Sequence, residues 1–551
     1  QHLISNGHLE SKERSGVYVA KGTTSGQDHL LRVASRGTKK ENVTDHIPQA
    51  ARFLRSDLVG DTQYKCPPDW QKYKFPFIEG RYDRTLFPIA EWREASRLAL
   101  GAREVDEWSL DNGEVDDPNL IEEIRTKLLP RRGISARPDE LLITVGGQQA
   151  LYLAVQLFAG KNTKVVTEEP SLPGLRQLLK RNKAKLRHQR VDDDGLIIDA
   201  ALDDCELVCV SPSRQRPTGV TLSMERRKAL LAKSEENDFI ILEDDFECEM
   251  NYLEEALPAL HSLDENGRVI YVASLSKVLA PGVRLGFMVA PPEVIAQARR
   301  LRDLTTRRPS PNNQRAAAFF LSLGHYDTML RRLNAVCEKR LIALRDALNH
   351  YRPASIAIAP VKGGTTYWVK GPETLDVNLL VQASAAKGIL IEPVDDWFAL
   401  PDGSKNMFRL GITSLPVDRI RGGIEQLSHV INKLGAPSYG DAERTHKDWL
   451  PHERLTHFMK GLTLLSSTVY GEPCTIELHS NGRMTGQAGY AGEDQDTGRW
   501  WVEGDKWIRQ WDHWAFGEAL GFHVCVADDV LTWLDDENNE VDRAIISEVE
   551  T

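Results

Sequence analysis

The segment Ser274-Leu275-Ser276-Lys277-Val278-Leu279-Ala280-Pro281-Gly282-Val283-Arg284-Leu285-Gly286 sets one lysine directly after an apolar run and just before a Pro-Gly turn. At the carboxyl end of a strand in an open α/β sheet, a lysine lies where such sheets place their ligands. Desolvation there lowers its pKa, and the neutral amine is the form that condenses with an aldehyde. Ser274 and Ser276 upstream and the fixed cation of Arg284 downstream are groups that hold a phosphate. Ser-x-Ser-Lys alone is a weak signal; joined to Pro-Gly-x-Arg-x-Gly it is a strong one.

Three more pieces bear chemistry. Phe239-Ile240-Ile241-Leu242 runs into Glu243-Asp244-Asp245-Phe246. A carboxylate ending a core strand needs a partner, and a protonated pyridine nitrogen suits it because the ion pair keeps the ring able to accept electrons. Capping of the next element is the competing reading. Thr144-Val145-Gly146-Gly147-Gln148-Gln149-Ala150-Leu151 turns from strand into helix, so the amides around Gly147 and Gln148 suit a phosphate, although such turns are common. Arg409 stands inside the apolar run Met407-Phe408-Arg409-Leu410-Gly411-Ile412. A buried guanidinium is costly unless it meets an anion, and its planar fork suits a carboxylate; a structural salt bridge is the rival. His479, His513, His523 and Cys525 lack metal-ligand spacing, so no metal is expected.

These side chains need elements to position them. A chain of 551 residues with 41% hydrophobic content exceeds what one core supports, and several folded units follow. Apolar strands such as Leu207-Val208-Cys209-Val210 and Val269-Ile270-Tyr271-Val272 alternate with helical patterns from 76 to 435, which predicts an α/β domain with a mostly parallel sheet between helices. Residues 436–551 have a different character. They hold seven of the twelve tryptophans and 22 acidic against 9 basic residues, and their short segments punctuated by glycine predict a small β-rich domain. Its tryptophans either line a ligand cup or form the core. Residues 21–75 are polar without a sustained period and read as a linker, while 1–20 read as turn and strand. A net charge of −11 excludes a chain that coats nucleic acid along its length. Seven cysteines without a Cys-x-x-Cys pair, no long apolar run and no signal peptide point to a soluble, cytoplasmic protein without a membrane partner.

At the four chemical pieces the sequence resembles the fold-type I, class I/II aminotransferases, and more closely the aminotransferase-like domain of MocR/GabR-type transcriptional regulators of the GntR superfamily. The resemblance also covers Leu86-Phe87-Pro88 with Trp92, Arg131-Arg132-Gly133-Ile134, Pro217-Thr218-Gly219 and Asn312-Asn313-Gln314-Arg315. Leu3 to Ser11 followed by Ser15-Gly16-Val17-Tyr18-Val19-Ala20 is similar to the last helix and wing of the winged helix-turn-helix these regulators carry in front, the rest of which is expected upstream. The resemblance implies a small α+β subdomain, pyridoxal 5′-phosphate as cofactor, a homodimer, and DNA contact through the N-terminal reader. It makes Lys277 the catalytic lysine, Asp244 the pyridine partner and Arg409 the anchor for a carboxylate of substrate or effector. Gly147, Gln148, Ser274, Ser276 and Arg284 surround the phosphate in this reading, with Leu172, Arg214 and Phe246 beside the ring.

The chain departs from the family at four places. Pro170-Ser171-Leu172 stands for Pro-Gly-Tyr, so a leucine replaces the aromatic on the ring face, a loss of about 0.5–1.5 kcal/mol of stacking. Phe246 stands for a tyrosine whose phenol bonds the cofactor, a loss of about 1 kcal/mol. Arg214 replaces a histidine and Arg216 an asparagine. These changes favour a regulator that senses an amino compound through an external aldimine at Lys277. A working aminotransferase acting on an amino acid is the alternative, and a scaffold without cofactor is the third reading.

Overall fold

The computed structural model describes residues 9–12, 16–19, 66–80, 83–110, 115–358, 361–399, 406–435, 449–467, 473–489, 494–527, 530–537 and 539–549. In the N-terminal unit Leu9–Lys12 pairs antiparallel with Gly16–Val19. The rest of 1–20, and the expected linker as far as residue 65, lie outside the described residues.

The large domain is built on an eight-stranded sheet in the order Leu141–Thr144, Gly286–Val289, Val269–Ser274, Ile240–Asp244, Leu207–Val210, Lys164–Glu169, Lys185–Asp192, Gly195–Leu196. The pairings from Val269–Ser274 to Lys185–Asp192 are parallel, whereas Gly286–Val289 runs antiparallel to both its neighbours. Strands such as Leu207–Val210 are buried at every position, as a sheet covered on both faces requires. Local chemistry sets the helix starts. Ser223 caps Met224–Asn237 by accepting from Arg226 N, and Asp376 caps Val377–Ala386 by accepting from Asn378 N and Leu379 N.

A smaller antiparallel sheet, Ala357–Ile358, Thr366–Lys370, Met407–Gly411 and Glu392–Pro393, carries Arg409 at its centre. Phe75–Pro76 pairs with Ile389–Leu390 beside it, so the chain joins this α+β subdomain just ahead of Glu79. Among the described residues no helix is long and apolar enough to cross a membrane.

Eight further strands, from Leu462–Ser467 to Glu540–Val549, each pair antiparallel with the next, and the last pairs with the first to close a barrel. Trp507 and Trp533 stack at its centre with ring centroids 5.7 Å apart, and Trp500 and Trp511 are buried with them, so these four tryptophans form core. Gly486 makes the fit possible, since a Cβ there would come within 2.4 Å of the Trp514 ring and 2.6 Å of Trp511. The barrel abuts the small subdomain: Gln382 donates to Ser466 O at 2.6 Å, and Arg543 donates to Thr374 O at 3.2 Å.

Candidate functional site

The carboxyl ends of the central strands open onto a cavity of about 300 Å³. Its wall includes Gly147, Gln148, Leu172, Asp244, Phe246, Ser274, Ser276, Lys277 and Arg284, so nine of the expected residues converge on one space. Lys277 follows the strand Val269–Ser274 and is half-buried against Glu79 and Glu247: Nζ donates to Glu79 Oε1, and to Glu247 Oε1 at 3.2 Å. Burial alone lowers its pKa, but Glu79 and Glu247 outweigh burial and the net shift is upward. The downward shift expected from desolvation is therefore reversed by two acids that approach from elsewhere in the chain.

The three acids at Glu243-Asp244-Asp245 separate into different roles. Glu243 accepts from Leu260 N and His261 N, both at 2.9 Å, which is the capping role. Asp245 binds Arg132 at 2.8 Å and the Tyr271 hydroxyl at 2.9 Å. Asp244 faces the cavity, where burial pushes its carboxyl up to about 6; Arg216 and Lys277 draw it back down and Asp245 adds to the rise. A carboxyl in that state gains from a cation brought against it.

The phosphate side is equally shaped. Helix Gly146–Phe158 starts at the cavity, and its first residue has φ +72°. Gly286 abuts this turn so closely that a Cβ there would lie 2.7 Å from Gly146 C and 2.8 Å from Gly147 N. Arg284 takes φ +51° and its guanidinium lies against Gly146, with a hydrogen bond to Val145 O at 3.1 Å. Amide groups at a helix start, two hydroxyls and a guanidinium form a cradle suited to a dianion.

Two expected residues are placed otherwise. Arg214 is not on the cavity wall: its guanidinium bonds Thr221 Oγ1 at 3.1 Å and Asn251 Oδ1 at 3.0 Å, in a small neighbouring pocket with Arg132 and Arg227. Gly363 leaves it the room, since a Cβ there would lie 2.4 Å from the guanidinium. Arg409 is also off the wall. It bonds Glu79 Oε2 at 2.8 Å and Glu392 Oε2 at 2.9 Å, and stacks on Trp397 at 4.6 Å.

Sequence reasoning missed Glu79, Glu247 and Glu392. For Glu79 and Glu392 the signal was an acid inside apolar runs, Phe77-Ile78-Glu79-Gly80 and Ile389-Leu390-Ile391-Glu392. Burial opposes the charge on Glu79, yet Lys277 and Arg409 on either side hold its carboxyl well below the usual range. Burial raises Glu392, against the pull of Arg409. The Arg216 guanidinium lies over the Phe246 ring, 3.3 Å from its centroid.

The aminotransferase class I and II family matches residues 80–412. The HTH-type transcriptional regulator TauR of Rhodobacter capsulatus is 37% identical over 78% of this chain and 87% of its own. The probable rhizopine catabolism regulatory protein MocR of Rhizobium meliloti is 26% identical over 77% of this chain and 83% of its own. Among solved structures, LysN, an α-aminoadipate aminotransferase from Thermus thermophilus complexed with N-(5′-phosphopyridoxyl)-L-leucine, superposes with a TM-score of 0.62 at 27% identity, covering 71% of this chain and 97% of that one.

Pyridoxal phosphate is the cofactor this family uses, and the cavity's donor set fits it. The cradle of Gly147, Gln148, Ser274, Ser276 and Arg284 would hold the phosphate, Asp244 the pyridine nitrogen, and Leu172 and Phe246 the ring, and Lys277 would supply the amine for the carbonyl. When bound, the cofactor supplies an electron sink for chemistry at an amine-bearing carbon. With fold, cavity and relatives in agreement, the chain belongs to the aminotransferase class I and II family, among the MocR/GntR-type transcriptional regulators built on that fold.

Proposed function

We propose that the protein is a pyridoxal-phosphate-binding transcriptional regulator in which an amino compound takes the place of Lys277 on the cofactor. The observation that carries this reading is the reach of the likeness to TauR. It runs over 431 residues, about a hundred more than the aminotransferase match at 80–412, and covers 87% of a regulator. The ring contacts support it, since Leu172, Phe246 and Arg216 stand where stacking and phenol bonds would serve turnover.

In this reading an amine, arriving as its ammonium, would compete with Lys277 for the cofactor, and Lys277 Nζ once free would hold the amine's protons as an ammonium between Glu79 and Glu247. A change in the charge on Lys277 would be passed through Glu79 to Arg409 in the small subdomain, which the chain joins at Phe75–Pro76. Two chains paired as a dimer would convert that shift into a new spacing of two DNA readers. The natural full-length protein is expected to be yellow with added pyridoxal phosphate, to lose the visible band in Lys277→Ala, and to bind operator DNA in a manner that an amine alters. Operator binding that ignores every amine tested sinks the proposal.

A working aminotransferase is the second reading, favoured by Lys277 and Asp244 on one cavity in a fold shared with LysN. Steady conversion of an amino donor and a keto acid decides for it.

A further inference from the structure

Arg409 is engaged before any ligand arrives. One terminal nitrogen bonds Glu79 Oε2 at 2.8 Å, the other bonds Glu392 Oε2 at 2.9 Å, and one face of the guanidinium lies on Trp397. The other oxygen of Glu79 accepts from Lys277 Nζ. Glu79 thus bridges the cofactor lysine and the arginine, and an α-amino acid with its nitrogen at Lys277 would bring its own carboxylate to the same place.

Glu79 is fixed there by its backbone. Its amide donates to Glu392 Oε1 at 3.1 Å, Thr413 Oγ1 donates to Ile78 O at 3.2 Å, and Gly411 N donates to Phe77 O at 3.0 Å. Gly411 packs so tightly on this segment that a Cβ would lie 2.3 Å from Ile78 C. Of the cations that line the cavity, Arg284 belongs to the phosphate cradle and Arg340 bonds Asp83, while Arg216 packs over the Phe246 ring with its Nε lacking a hydrogen-bond partner among the described residues. Glu79 and Glu247 both face Lys277 Nζ, a pair of carboxylates that favours an ammonium there.

We infer that Glu79 is the specificity-determining residue of this site, that it takes Arg409 out of ligand recognition, and that the amino compound accepted carries no α-carboxylate. The inference rests on the amine-sensing reading above and narrows its ligand to primary amines.

The test titrates the full-length, cofactor-loaded protein with n-butylamine and with L-norvaline, the same carbon chain bearing an α-carboxylate, and follows the visible absorption of the bound pyridoxal phosphate. In the wild type, butylamine is expected to act at a concentration about tenfold or more below norvaline. Glu79→Gln is expected to improve norvaline about tenfold relative to butylamine in the same variant. Glu392→Gln, which frees one Arg409 nitrogen without touching the Lys277 contact, is expected to move norvaline in the same direction by less. Equal or better response to norvaline in the wild type, unchanged in both variants, overturns the inference while sparing the sensing proposal. A wild type silent to both amines whose Glu79→Gln variant responds to norvaline shows Glu79 blocking the α-carboxylate but overturns the inference that the wild type accepts a simple primary amine. Silence of all three proteins overturns both.

Discussion

The α/β domain and the barrel each bury a guanidinium, and they keep it by opposite means. Arg409 sits between two carboxylates, and although burial works against its charge, Glu392 and Glu79 raise its pKa. Arg509, inside the barrel, has the faces of Phe522, Trp533 and Trp507 at 5.1, 5.3 and 5.9 Å, and burial lowers its pKa with Asp542 only partly opposing. Ion pairs this buried do little for net stability, but removing one partner strands the other. Aromatic faces ask for no partner charge. The α/β domain therefore maintains a charged site ready for chemistry, while the barrel's interior is organised as core.

Arg409→Met breaks that comparison hardest, because it leaves Glu79 and Glu392 buried against each other. A loss of about 3–5 kcal/mol is expected in the denaturant transition of the α/β domain. The barrel transition, followed by the fluorescence of its tryptophans, should stay in place. Movement of both transitions together would show that the two regions unfold as one. Gly486→Ala is the reciprocal change. Its methyl would meet the Trp514 and Trp511 rings, and a loss of about 1–3 kcal/mol confined to the barrel is expected.

pH separates the regions by a smaller amount. Glu168, buried beneath the sheet's carboxyl end, is pushed up to about 8 by burial, with Ser211 N and Gln215 opposing and Asp244 adding. The folded value lies above the ordinary 4.5, so the folded chain holds the extra proton between the two. Its contribution is intact below about pH 4.5 and is lost as pH rises through about 8. Glu168→Gln should flatten the α/β domain's stability across that window by up to about 1.4 kcal/mol per pH unit, read as denaturation midpoints at several pH values. An unchanged slope would mean that Glu168 is already ionised.

What was legible in the sequence was what lies close together along it. Lys277, Ser274, Ser276 and Arg284 share one strand-turn-strand, so their convergence follows from local geometry. Asp244 was readable because a strand ends there, though which of three acids faces inward depends on Arg132, Tyr271 and the start of the next helix. Glu79 lies 198 residues from Lys277 and 313 from Glu392, so no local pattern announces those pairs. Arg214 neighbours the site in sequence, yet its guanidinium bonds Thr221 and Asn251 in the adjoining pocket, partners that no local pattern announces. In the barrel, glycine-punctuated strands were visible, while closure depends on pairing the first strand with the last, 462–467 against 540–549.

Arg509→Met is the finest probe of the comparison. The thioether keeps the length and most of the contact area, forgoes cation–π contacts worth about 0.5–1 kcal/mol each at exposed sites and about 2 kcal/mol when desolvated, and removes the cost of burying a charge. Those terms have opposite signs and similar size, so the barrel's stability should change by less than about 1 kcal/mol, against the several lost at Arg409. Asp542 is the group to watch: burial raises its carboxyl and Arg509 opposes that rise, so in the variant Asp542 should titrate higher. A loss of about 3 kcal/mol would show that Arg509 and Asp542 act as a true buried pair. The barrel would then keep its cation by the same device as the α/β domain, and the contrast between the two regions would vanish.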